Sequence, residues 1–172
     1  MIDALWNGWR AAYLAGEGRG VAGPDGVNRG SVFTQMLDSG LPDEQTNIVH
    51  RGKHTFAILN AFPYNPGHLL VLPYDEVPDL EQLEPATAAE LWATVTDAVR
   101  VLKAVYAPGG INVGINLGRA AGGSVSEHLH VHVLPRWHGD ANFLTSVASA
   151  TTIPEALPVT AQKIRAAWAS LD

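Results

Sequence analysis

The longest periodic stretch of the chain begins after Pro85. Leu91, Val95, Ala98, Val99, Leu102 and Val105 recur at i, i+4, i+7, i+8, i+11 and i+14, one face of an α-helix. Pro85 suits the first turn and Pro108-Gly109-Gly110 ends the run, so the spacing predicts a helix over 85–106. Upstream the pattern is that of strands. Residues 48–59 hold two short apolar runs around Arg51-Gly52-Lys53, a tight-turn signal, and 69–73 read as a buried strand ending at Pro73. Downstream, 111–116 and 128–135 read as two more strands separated by a glycine-rich loop, and a last helix is predicted near 158–170. Hairpin-joined strands around one long helix, without alternating strand–helix units, predict an α+β domain with an antiparallel sheet of about five strands.

The ends of the chain differ from this middle. Leu5, Trp6, Trp9, Tyr13 and Leu14 approach helical spacing over 3–15, and six glycines with one proline between Gly16 and Gly30 read as a flexible connector. The expected organisation is one domain over 1–172. It comprises an N-terminal helix and glycine-rich segment (1–46), a catalytic core (47–137), and a C-terminal loop and helix (138–172).

Composition narrows the functional classes. A chain of 172 residues hides roughly 70% of its extended surface on folding, enough for a core without a metal or disulfide staple. The formal net charge of -6 gives no global attraction for polyanions, so neither nucleic acid nor an anionic membrane is an expected partner. Cysteine is absent, which removes disulfides, thiolate zinc and a cysteine nucleophile together. No basic, apolar leader and no spanning apolar run are seen, so a cytoplasmic protein is expected.

The chemistry concentrates in His128-Leu129-His130-Val131-His132-Val133. Alternation along a strand puts the three imidazoles on one face and the three aliphatic side chains on the other. Two chemistries suit such a face. Imidazole is a common zinc ligand, yet the outer pair is separated by about 13 Å along a strand, so a metal site needs two of them and a distant carboxylate. The alternative is nucleophilic attack on phosphorus by a neutral imidazole, with its neighbours orienting it and managing protons. An unperturbed pKa of about 6.5 leaves the free base abundant near neutrality. The loop before the strand favours the second reading. Gly118, Gly122 and Gly123 allow backbone N–H groups to crowd an anion, Ser124 adds a hydroxyl, and Asn116 ends the preceding strand. Trp137, just past the triad strand, has a ring able to stack on a base. Arg136 is a candidate for polyphosphate. His50, His54, His138 and the acidic run Asp75-Glu76…Asp79…Glu81 read as ordinary surface.

The triple-histidine motif resembles the His-φ-His-φ-His-φ-φ signature of the histidine triad (HIT) family of nucleotide hydrolases and transferases. Asn60, the run Pro66-Gly67-His68-Leu69-Leu70-Val71-Leu72-Pro73, the long helix and the Asn116 strand fall in the family's order, over about 47–137. Residues 114–143 and the N-terminal tryptophan/arginine segment are similar to the diadenosine tetraphosphate phosphorylase-like branch of actinobacteria. The resemblance implies His130 as nucleophile, with His128, His132 and His68 as its supporting imidazoles. It implies Asn116, Gly123 and Ser124 at phosphate and Asn60 at ribose. It further implies a homodimer acting on a nucleotide substrate and inorganic phosphate. A water-using hydrolase or phosphoramidase, and a nucleotide-binding or scaffold module, are the alternatives. Ser124 stands where many relatives carry glutamine, a departure that favours the phosphorylase-like branch. Ser31-Val32-Phe33-Thr34 takes the place of a Cys-x-x-Cys of other relatives, so their structural zinc is not expected. No tightly bound cofactor or metal is anticipated, only magnesium accompanying the nucleotide.

Overall fold

A computed structural model of the chain describes residues 30–140 and 155–171. The expected helix over 3–15, nearly all of the glycine-rich connector and most of the loop before the last helix lie outside the described residues. In chain order the elements are α1 (Val32–Leu37), α2 (Asp43–Thr46), β1 (Ile48–Arg51), β2 (Thr55–Leu59), β3 (Leu69–Pro73), α3 (Pro85–Tyr106), β4 (Gly110–Ile115), β5 (Val131–Arg136) and α4 (Leu157–Trp168). The five strands form one antiparallel sheet in the order β1-β2-β3-β5-β4.

Alternation sorts the sheet's side chains into two layers. Ala57, Leu59, Leu69, Val71, Val131 and Val133 face α3, where Leu91, Val95, Ala98 and Leu102 meet them as the helical spacing requires. Phe56, Ile58, Leu70 and Leu72 point the other way and pack with Phe33 of α1. α3 starts with Pro85 in its first turn and stops at Ala107, left-handed at φ 42°, immediately before Pro108. α4 closes the helical layer through Ala161, Ile164 and Trp168. An irregularity between Ile48 and His50 re-aims β1. His50 therefore stacks flat on Trp168, ring centres 4.6 Å apart, rather than standing free at the surface as its sequence context suggests.

One expected strand is shorter than its pattern. The β5 ladder begins at Val131, not at residue 128, because Leu129 N–H bonds the carbonyl of Val77, outside the sheet. His128–His130 are thus held by loop contacts, and only His132 of the three histidines sits in the ladder, opposite Leu70 and Gly114.

The β1–β2 turn depends on one carboxylate from α3. Glu90 Oε1 accepts from His54 N–H at 2.7 Å, Thr55 N–H at 3.0 Å and the Thr55 hydroxyl at 3.1 Å. Thr55 is fully buried, so no water replaces this acceptor. Gly52 fits here because a Cβ would collide with the same carboxylate. Glu90→Ala should destabilise the fold by about 2–3 kcal/mol, the cost of orphaning buried donors from a charged partner. The shift in urea midpoint measures it, and an unchanged midpoint would remove Glu90 from this role.

Candidate active site

Four imidazoles gather on the sheet face away from α3, where β3 and β5 lie side by side. His68 precedes β3 and is fully buried, and His130 is 7% exposed. The His130 and His132 rings are 5.0 Å apart, and those of His68 and His132 5.2 Å. Phe33 flanks His128 and His130, its ring centre 5.6 Å and 5.7 Å from theirs. Tyr64, exposed at the rim, lies against His68 at 4.6 Å.

Backbone groups fix the proton positions. Tyr64 N–H, which only donates, points at His68 Nδ1 from 3.2 Å, so this nitrogen is an acceptor. His68 Nε2 then carries the proton and donates to His132 Nδ1 at 2.9 Å. His132 in turn keeps its proton on Nε2. The side-chain amide of Asn116 is 3.5 Å from that nitrogen, and a half-turn of the amide sets its oxygen to accept. On the other branch, His130 Nδ1 donates to the carbonyl of His128 at 2.8 Å. His130 Nε2 is therefore a bare lone pair with no partner among the described residues. His128 has both nitrogens engaged. Nε2 donates to the Pro73 carbonyl at 2.9 Å, and Nδ1 accepts from the Ser31 hydroxyl at 2.7 Å.

All four groups are held neutral. Burial, reinforced by His132 and then His130, pushes His68 down to about 3. Burial followed by His130 takes His132 to about 4. His128 and His130 are lowered as well, burial being the largest cause in each. A neutral imidazole is nucleophilic, and one carrying its proton on Nε2 is a hydrogen-bond donor without a charge. The site thus presents both functions on adjacent rings.

The remaining sequence candidates fall in different places. Asn60 accepts from Phe62 N–H at 2.9 Å and its amide nitrogen lies 3.3 Å from His68 Nδ1, so it braces the histidine loop. The loop from Asn116 to Ser124 folds on itself around a short turn over Arg119–Ala121. Gly118 and Gly122 take left-handed φ values of 76° and 97°. Gly123 N–H bonds Gly118 O at 3.3 Å, and a Cβ at Gly123 would press on that same carbonyl at 3.0 Å. Ser124 is exposed, with neither its N–H nor its hydroxyl engaged by a described residue. Trp137 meets Tyr106 edge-on at 6.1 Å rather than any imidazole. Arg136 is committed to structure. Its guanidinium grips Asp140 at 2.7 Å and 2.8 Å and Asn112 at 2.9 Å.

Two residues carry more than their sequence context indicates. Glu76, read as solvated surface, accepts from Ser31 N–H at 2.7 Å and from the Thr34 hydroxyl at 2.5 Å. Tyr64 supplies the N–H that sets the His68 tautomer. Its position between Pro63 and Asn65 marks a loop, but a backbone donor leaves no side-chain signature. Among the described residues, no three His, Asp or Glu side chains converge as a metal site would require. No described helix is long and apolar enough to cross a membrane.

Relatives carry the same frame. Over 169 residues, 98% of this chain and 85% of its counterpart, the sequence is 46% identical to the AP-4-A phosphorylase of Mycobacterium tuberculosis. Over 95 residues it is 36% identical to the asymmetrical bis(5'-nucleosyl)-tetraphosphatase of Schizosaccharomyces pombe, covering 55% of this chain and 52% of that one. Among solved structures, a zinc-bound histidine triad family protein from Mycobacterium smegmatis superposes with a TM-score of 0.66 at 30% identity. That match spans 82% of this chain and 94% of the other. The HIT domain pattern itself runs over residues 42–139, from α2 through the triad segment to the turn after β5. With the sheet, the histidine-bearing face and the full motif in register, the chain belongs to the HIT domain family.

Proposed function

We propose that the protein transfers a nucleotidyl group from diadenosine tetraphosphate to inorganic phosphate, giving ADP and ATP. The observation that carries the reading is the bare Nε2 of His130 beside the protonated Nε2 of His132. His130 Nε2 attacks the α-phosphorus, an N–P bond forms, and the P–O bond to the remaining polyphosphate breaks to release ATP. His132 Nε2–H stabilises the oxygens on which charge grows. Orthophosphate then attacks the adenylyl–histidine, the N–P bond breaks, ADP leaves and His130 returns to its free base. Atoms balance: diadenosine tetraphosphate plus phosphate gives ATP plus ADP.

The choice of acceptor is supported by the 46% identity to the AP-4-A phosphorylase of Mycobacterium tuberculosis and by Ser124. Its hydroxyl and N–H are open, and a small side chain after Gly122-Gly123 leaves space for a second anion. Asn116, already at His132, is the natural third donor. Bound phosphate gains a proximity advantage over bulk water. Asn60 is assigned to the nucleoside side on resemblance alone, and Trp137 on the capacity of its ring to stack on a base.

A homodimer fits the exposed edge of the sheet. β4 is the terminal strand, Val113 on it is 44% exposed, and a hollow beside it is lined by Val99, Lys103, Pro108 and Ile111. An unpaired edge of this kind invites a second chain. The protein is assigned to the cytoplasm, and no tightly bound metal is required, with magnesium entering only on the nucleotide.

Product analysis with diadenosine tetraphosphate tests the reading. Added phosphate should accelerate breakdown and yield ADP with ATP, whereas AMP and ATP forming equally fast without phosphate would make the protein a hydrolase. His130→Ala should lose several orders of magnitude in turnover while staying folded. Ser124→Ala should weaken phosphate use more than nucleotide binding. Because burial pushes His130 below 6.5, kcat/KM should fall toward acid solution with a midpoint below 6.5, as the nucleophile protonates. A midpoint at or above 6.5 would contradict a buried His130 base. Removal of tightly bound metal by exhaustive chelation should leave activity intact once magnesium is restored, and stoichiometric zinc needed for turnover would overturn that expectation.

A further inference from the structure

A second polar cluster lies behind the imidazoles, off the face that meets substrate. Ser31, fully buried, caps α1. Its hydroxyl oxygen accepts Thr34 N–H at 3.2 Å while its proton goes to His128 Nδ1 at 2.7 Å. The direction of that bond is forced, because His128 Nε2 already donates to the Pro73 carbonyl. Glu76 holds Ser31 from the other side by accepting its N–H, together with the Thr34 hydroxyl. Gly30 leaves room for this carboxylate, since a Cβ there would lie 2.7 Å from Glu76 Oε2. Hydrogen bonds from Thr34 and Ser31 outweigh the burial that would raise Glu76, so the carboxylate stays ionised.

The location of the cluster gives it leverage on the site. Residues 128–130 precede the first ladder pair of β5, so the sheet does not hold them. Their anchors are Leu129 N–H to Val77 O, next to Glu76, and the two ring bonds of His128. The carbonyl of His128 receives the His130 Nδ1 proton. Whatever moves His128 therefore moves the acceptor that decides which nitrogen of His130 is bare.

We propose that Ser31, backed by Glu76, is a positioning residue for the nucleophile. Its hydroxyl locks His128 as the Nε2–H tautomer, and the His128 backbone so held keeps the lone pair of His130 on Nε2, toward substrate. This rests on the reading of His130 as the attacking group. Neither Ser31 nor Glu76 touches the reacting atoms.

The test combines nitrogen NMR of histidine-labelled full-length protein with steady-state kinetics on diadenosine tetraphosphate and phosphate. In the unaltered protein, His128 should show Nε2–H and His130 Nδ1–H as single tautomers. Ser31→Ala should turn both into mixtures and lower kcat by about tenfold, within the roughly hundredfold that a 1 Å misplacement can cost, with KM within twofold. Glu76→Gln keeps an acceptor for the same donors but drops the charge. It should shift the His128 Nδ1 signal and lower kcat by a smaller factor, about threefold. If Ser31→Ala fails to fold, the Glu76→Gln spectra and rates decide alone. Single, unshifted His128 and His130 tautomers with unchanged kcat in the folded variants would overturn the proposal, as would a loss confined to KM. The tautomers are read without substrate. Expected spectra in a protein that does not turn over diadenosine tetraphosphate would sink the phosphorylase reading and leave the positioning role standing.

Discussion

A neutral imidazole has one proton for two nitrogens, and in this site three backbone groups decide where every proton goes. Tyr64 N–H can only give, and the Pro73 carbonyl can only take. From the first, His68 must donate to His132, which leaves His132 a donor at its outer nitrogen. From the second, His128 must accept at Nδ1. His130 is settled separately, by the carbonyl of His128. The result is a lone pair and a proton on adjacent rings 5.0 Å apart, opposite functions from identical side chains. Burial protects this pattern by keeping the rings uncharged. An imidazolium in place of either inner ring would have two donors and no acceptor, and the relay would break.

The fold supplies burial and register together. Alternation sends Val131 and Val133 into the layer against α3 and turns His132 to the opposite face, beside Leu70. α1 covers part of that face, with Phe33 against His128 and His130. The uncovered remainder is where phosphate chains can approach. Ending the ladder at Val131 is part of the same arrangement. A regular strand would point the His128 carbonyl at a neighbouring strand, whereas here it is free to receive the His130 proton.

Much of this was legible in the residues. The period of α3, the turn at Arg51-Gly52-Lys53 and the strand ending at Pro73 each follow from local pattern, and each lies within a residue or two of its expected place. The triad was legible because three histidines at strict period two have no packing explanation. The clasp behind it was not. Ser31 and His128 are 97 positions apart and Ser31 and Glu76 are 45 apart, and no local pattern joins them. Glu76 sits in an acidic run whose ordinary meaning is a solvated face. Arg136 shows the reverse case. Proximity in sequence to the triad made it a candidate for polyphosphate, yet its guanidinium is held by Asp140 and Asn112.

The order of contacts in the clasp also explains how a carboxylate can sit so near the imidazoles while His128 stays neutral. Glu76 placed directly on His128 Nδ1 would favour the protonated ring, since an anion stabilises the imidazolium. Ser31 stands between them. It meets the carboxylate through its N–H and the imidazole through its hydroxyl, so the two bonds share no proton. An amide N–H does not ionise in this setting, and the hydroxyl proton is committed to the ring. Glu76 therefore lends Ser31 a fixed position, and across that spacing its charge raises His128 by less than burial lowers it. His128 is held rigidly and remains neutral, and the carbonyl it offers to His130 stays an acceptor of a single kind.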